Sequence, residues 1–189
     1  MLFDSSIVRC PVCLQMLSHR NDELSCQSCQ RNYPITSGIP LLIDNPLLDT
    51  KLDVMDYDDH HSITENSRHT ILEMWETVFS ENAISAGQVL EIGCGTGQLT
   101  AALTALPSIQ YLHATDISEQ FLHITKTAVG KSQKPVLYYA CDANHLPFAA
   151  NSFDTIVANS VLHHLLDFTD VLKQCVRLLK HGDFAVFFA

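Results

Sequence analysis

The chain has 189 residues, room for one full hydrophobic core and a small appendage, and it contains no apolar run long enough to span a bilayer. Its 11 Lys+Arg stand against 21 Asp+Glu, a net charge of −10 with no basic cluster, which disfavours a nucleic-acid binder because phosphate neutralisation supplies most non-specific affinity. The start, "MLFDSSIVRC", lacks the basic head, apolar middle and small-residue cleavage site of a secretory signal, so the chain is expected in the cytoplasm.

Four of the seven cysteines fall in "CPVCLQMLSHRNDELSCQSC". Cys10 and Cys13 form one C-x-x-C, Cys26 and Cys29 a second, with twelve residues between them. Such pairs suit two facing knuckles that place four thiolates tetrahedrally around zinc. Two redox or disulfide pairs are the alternative, which a reducing cytosol disfavours. A four-thiolate zinc has no open position and is therefore structural. Metal binding would supply much of the folding free energy of so short a stretch. "SHRND" reads as a hairpin tip, with His19 a solvated loop residue rather than a ligand. "RNYPITSGIPLLI" reads as two short strands closing the module. Residues 8–43 resemble a recurrent N-terminal zinc ribbon. That ribbon stands at the front of some methyltransferases, zinc-containing ribosomal-RNA guanine methyltransferases among them, and also occurs as activator subunits of tRNA and protein methyltransferases.

Next comes "DNPLLDTKLDVMDYDDHH", six aspartates against one lysine. It reads as a solvated acidic linker, although Asp58, Asp59, His60 and His61 leave a second metal site as an alternative. Ile71, Leu72, Trp75, Val78 and Phe79 then mark one face of a helix over about Thr64–Ser80, with Trp75 in the core.

From residue 88 the pattern alternates. Strands are predicted at Val89–Ile92, Tyr111–Thr115, Val136–Ala140, Phe153–Ala158 and in the final "DFAVFFA". Helices are predicted over Gln98–Leu106, after an N-cap at Ser118 with Phe121, Ile124 and Ala128 inward, and over about Phe168–Lys180. Alternating strands and helices give an α/β, doubly wound, Rossmann-like and mostly parallel sheet. The ligand of such a sheet sits beyond the strand C-termini. The expected domains are a zinc ribbon over 1–43, a linker over 44–62 and a nucleotide-binding domain over 63–189.

In "VLEIGCGTGQLT", Gly93, Gly95 and Gly97 give G-x-G-x-G followed by Gln98, not the G-x-G-x-x-G of dinucleotide sites, and no G-K-[ST] follows. Glu91, two positions before the first glycine, would repel a pyrophosphate but not a zwitterionic amino acid or a sulfonium. The loop therefore fits a ligand without phosphates. Asp116 ends the second strand where a carboxylate can grip ribose hydroxyls; its alternative role is to complement a helix dipole. After the third strand, Asp142 can accept from an adenine amino group while Ala143 offers its backbone N–H.

With "VLEIGCGTG", "ATDIS", "CDANHLPFAANSFDTIVANSVLHHL" and "VLKQCVRLLKHGDFAVFF", residues 88–189 resemble class I S-adenosylmethionine-dependent methyltransferases of the type 11 kind. The resemblance implies S-adenosylmethionine as cofactor. Glu91, Gly93, Cys94, Gly95 and Gly97 would lie along the methionine part, Asp116 with Ile117 at the ribose, Asp142 with Ala143 at the adenine, and Asn159 beside the transferable methyl. His163 and His164, near Asp167, are the candidate general bases; Cys94, Cys141 and Cys175 need no special chemistry. "NSVL" stands where base-amino methyltransferases carry an "NPPY"-type motif, which counts against base-amino methylation; the acidic charge and missing basic surface favour a small-molecule acceptor over ribosomal RNA, with a non-catalytic cofactor-binding scaffold as a further alternative. The family adds a two-strand hairpin after its fifth strand. This sequence ends at "FAVFFA", so it is expected to be incomplete there, weakly active and prone to self-association through an apolar edge.

Overall fold

The computed structural model describes residues 3–44, 65–81, 87–164 and 168–188. The acidic linker beyond Asp44, with His60 and His61, and also Asp167 fall outside the described residues.

The ribbon is an antiparallel meander. β1 (Leu17–Arg20) and β2 (Glu23–Cys26) turn at the predicted tip, where Asn21 takes a left-handed φ of 55° that asparagine tolerates well. β3 (Asn32–Thr36) and β4 (Ile39–Leu42) are joined by Ser37 and Gly38, both at positive φ, which matches the strand twist in a two-residue hairpin loop. Leu24, Cys26, Tyr33 and Ile35 alternate inward and fill the small core.

The rest alternates as predicted. α1 (Glu65–Glu81) precedes β5 (Gln88–Ile92), α2 (Gln98–Ala105), β6 (Tyr111–Asp116), α3 (Glu119–Val129), β7 (Val136–Cys141), β8 (Phe153–Asn159), α4 (Thr169–Leu178) and β9 (Leu179–Phe188). One nine-stranded sheet runs β1-β2-β3-β4-β7-β6-β5-β8-β9. From β4 onward every neighbouring pair is parallel. β4 therefore does more than close the ribbon: Leu41 and Leu42 pair with Ala140 and Cys141, making it a further parallel strand beside β7.

Strand residues alternate between two buried faces, as a covered parallel sheet requires. Leu90, Ile92, Leu137, Tyr139, Ile156 and Ala158 pack against α4 and the ribbon core. Val89, Leu112 and Val157 pack on the other face against Trp75 of α1 and Leu99 and Leu103 of α2. Trp75 is fully buried, edge-on to Phe188 with ring centroids 5.1 Å apart.

A buried polar chain crosses the first face. The Asp4 N–H donates to Tyr139 Oη (3.2 Å), Tyr139 Oη lies 3.3 Å from His113 Nδ1, and His113 Nε2 lies 2.8 Å from Gln88 Oε1. The Gln88 carbonyl can only accept, so Nε2 carries the proton and Nδ1 receives the tyrosine hydroxyl. Burial among Tyr139, Phe148 and Phe153 lowers the His113 pKa to about 4.

Two boundaries differ from expectation. The last helix ends at Leu178, and the strand predicted from Asp183 begins at once at Leu179. A register irregularity between Phe153 and Thr155 lets Leu179 pair with Phe153, and Gly182 absorbs the bend at φ 90°. The buried stripe of α3 is also rotated from the predicted one, to Phe121, Leu122 and Thr125.

Candidate functional site

Beyond the C-terminal ends of β5, β6, β7 and β8 lies a cavity of about 590 Å³. Glu91, Gly93, Cys94, Gly95, Asp116, Ile117, Asp142, Ala143 and Asn159 all line it. Of the ten residues predicted to hold a cofactor, Gly97 alone does not. It caps α2 at φ 90°, where a Cβ would come within 3.0 Å of the Thr125 backbone.

The glycine loop is held from behind. The Cys94 N–H donates to the Thr115 carbonyl (2.9 Å), and Thr125 Oγ1 donates to the Gly95 carbonyl (2.7 Å). Gly93 sits at φ 69°, and a Cβ there would lie 2.3 Å from Val161 Cγ2, so only glycine gives both the backbone conformation and the space.

Asp116 is tied into the same loop. Its Oδ2 accepts from the Gly95 N–H and its Oδ1 from the Ser118 N–H, each at 2.9 Å. Burial still raises its pKa, with these amides pulling the other way. Glu91 is buried, and among the described residues its Oε2 has no hydrogen-bond partner; burial pushes its pKa up to about 8, against hydrogen bonding of the carboxyl to Thr100, with the Asp116 charge adding to the rise. Asp142 accepts from the Asn144 N–H (2.8 Å) and so caps the short turn Ala143–His145. Among the described residues, the acidic groups of Glu91, Asp116 and Asp142 line the cavity and no lysine or arginine does, an environment that favours a cationic or zwitterionic ligand over a phosphate.

The two candidate histidines separate. Both are exposed, but His164 lines the cavity and His163 does not, their ring centroids 4.0 Å apart. Cys94 and Cys141 also line it, but burial pushes both thiols well above the ordinary range, away from the thiolate form. Sequence reading missed Val161, Ser160 and Thr125. Ser160 takes a left-handed φ of 55°, which no pattern of apolar residues reveals, and Thr125 hides as a polar member of a helix's buried stripe.

At the other end of the sheet, the Sγ atoms of Cys10, Cys13, Cys26 and Cys29 lie within 4.8 Å of one another. The two knuckles repeat one geometry. Cys10 N–H donates to the Gln15 carbonyl and Cys26 N–H to that of Arg31; Leu14 and Gln30, each following a second cysteine, are left-handed at φ 56° and 60°. Cys10–Cys29 and Cys13–Cys26 Sγ separations are 3.5 and 3.4 Å. Tetrahedral bonds of about 2.3 Å to zinc put neighbouring sulfurs about 3.8 Å apart, so the donor set and spacing fit that ion.

A parallel sheet with a glycine loop after β5 and carboxylates at the ends of the next two strands is the doubly wound α/β arrangement, whose ligands sit beyond the strand C-termini. The methyltransferase-domain family pattern matches residues 90–187, more than half of the chain, and the chain belongs to that family. Over 142 residues it is 30% identical to a malonyl-[acyl-carrier protein] O-methyltransferase of Bacillus anthracis, covering 74% of this chain and 49% of that protein. It is 30% identical over 132 residues to a demethylmenaquinone methyltransferase of Staphylococcus aureus, covering 69% of this chain and 54% of the relative. The chain thus spans about half the length of the curated relatives it matches. A solved Methanococcus maripaludis protein, assigned to the S-adenosylmethionine-dependent methyltransferases, shares the fold with a TM-score of 0.63 and 21% identity, over 76% of this chain and 65% of that one.

Proposed function

We propose that the chain carries the cofactor site of an S-adenosylmethionine-dependent methyltransferase acting on a small or carrier-borne acceptor, with a structural zinc in its ribbon. The observation that carries the reading is the buried Glu91 Oε2, unpartnered among the described residues, beside a glycine cradle in a cavity that no described lysine or arginine lines. An ammonium or sulfonium entering there supplies what that oxygen lacks. On this reading Glu91, Gly93 and Gly95 seat the methionine part, Asp116 with Ile117 the ribose, and Asp142 with Ala143 the adenine, while Asn159 stands beside the methyl.

Bound S-adenosylmethionine supplies an electrophilic methyl on a good leaving group. The protein's work is therefore alignment of a nucleophile in a dry pocket. His164 is placed to take a proton from an acceptor that must lose one, as a histidine can near neutral pH. The relatives' printed substrates, a malonyl-carrier protein and demethylmenaquinone, support an acceptor other than nucleic acid. The described ribbon also carries three arginines against four acidic residues, a poor footprint for RNA. Zinc ligation by four cysteines rather than disulfide pairing suits a reducing compartment, in keeping with the cytoplasm.

Isothermal titration with S-adenosylhomocysteine, elemental analysis and a methyl-transfer assay on an acceptor panel test the reading. Binding, with about one zinc per chain, is expected. Binding without turnover on the longest natural chain would favour a scaffold, and RNA retention with a steep salt slope would favour the ribosomal-RNA reading.

A further inference from the structure

Both flanks of the turn that follows β7 are held by the ribbon. Before it, Leu42 pairs with Cys141, the residue preceding Asp142. After it, the Arg9 N–H donates to the Pro147 carbonyl and the Ala149 N–H to the Ile7 carbonyl, both at 2.7 Å, around an antiparallel bridge of Val8 to Phe148. Between these clamps the turn presents Asp142 and Ala143 to the cavity.

The clamps come from opposite ends of the ribbon, and the thiol cluster sits between them. Residues 7–9 lead directly into Cys10, whose Sγ lies 3.5 Å from that of Cys29 and 3.3 Å from Tyr33 Oη. Tyr33 is on β3, which pairs with the clamping β4. Cys10, Leu24 and Tyr33 share one apolar cluster with Cys141, Leu146 and Phe148. A meander of strands four and five residues long has little core of its own, so a tetrahedral ion held by the four thiols would keep the two clamps in register.

We infer that the metal-loaded thiol cluster positions the adenine-binding turn, so that zinc and cofactor bind cooperatively across the β4–β7 junction. The inference rests on the cofactor reading given above and deepens it. Metal loss lets residues 7–9 and β4 move independently, and Asp142 and Ala143 lose their fixed presentation. The coupling is reciprocal, so cofactor must tighten zinc by the same factor.

The test is titration of S-adenosylhomocysteine into the full chain as zinc-loaded, chelator-stripped and zinc-restored protein. Zinc release is followed in parallel, with and without S-adenosylhomocysteine. Trp75, the single tryptophan, lies among α1, α2 and β9 and reports through its emission whether the main core persists. The expected result is about tenfold weaker binding after stripping, recovery on zinc addition, slower zinc release with ligand bound, and unchanged Trp75 emission. Val8→Pro, which leaves the thiols intact but strains the bridge to Phe148, should weaken S-adenosylhomocysteine binding while zinc stoichiometry stays at one. Equal affinity with and without zinc overturns the inference, as does a chain that takes up no zinc. A zinc-loaded chain that binds no S-adenosylhomocysteine sinks the cofactor reading itself.

Discussion

His113 offers a quantitative check on the sheet interior. Its ring is neutral, packed among aromatic side chains and fixed between Gln88 and Tyr139, with a pKa lowered by burial from 6.5 to about 4. An unfolded chain binds that proton more readily than the folded one. The stabilising contribution is therefore fully present above pH 6.5 and is lost as pH falls through about 4. Linkage puts the loss at about 2 kcal/mol by about pH 5 and about 3 kcal/mol once both states are protonated. Urea unfolding followed by Trp75 emission, at about pH 7.5 and about pH 5, measures it in the natural chain and in His113→Leu. The stability difference between the two proteins should shrink by about 2 kcal/mol on acidification. Taking the difference cancels the buried carboxylates, whose raised pKa values act in the opposite direction. A difference that does not change with pH would refute the proposed burial and its polar chain.

Other outcomes follow from the cavity. Gly93→Ala must place a Cβ 2.3 Å from Val161 Cγ2 at φ 69°. The backbone alone costs about 1–2 kcal/mol, so calorimetry should show S-adenosylhomocysteine binding weakened by about tenfold or more, partly restored by adding Val161→Ala. Glu91, held at about 8, is stabilising relative to the unfolded chain only while protonated. Glu91→Gln should therefore raise the melting temperature of the ligand-free chain by an amount that grows as pH rises from 4.5 toward 8, while weakening S-adenosylmethionine binding; scanning fluorimetry at several pH values checks both. If a general base is used, His164→Ala should lower kcat by about a hundredfold, whereas His163→Ala, at a residue outside the cavity, should leave it near normal.

Much of the parallel sheet was legible because strand and helix periods alternate without interruption, and the glycine loop, Asp116 and Asp142 fall at successive strand ends. Other features were not. The pairing of Leu42 with Cys141 joins residues nearly a hundred positions apart, and no local pattern marks "IPLL" as anything but a ribbon strand. "VLHHLLDF" placed both histidines on one short turn without saying which one borders the cavity. The immediate passage from α4 into β9 depends on Gly182 and on a slip in register against β8, neither visible without the partner strand. Val161 became part of the site only because Gly93 leaves room for it.

β4 precedes its partner β7 by about a hundred residues of chain. A loop that large closes slowly, and until it does β7 has a bare margin of apolar residues ending in Ala140 and Cys141. Removing residues 3–44 would make that margin permanent, and the shortened chain should be recovered as aggregate rather than as a smaller working domain.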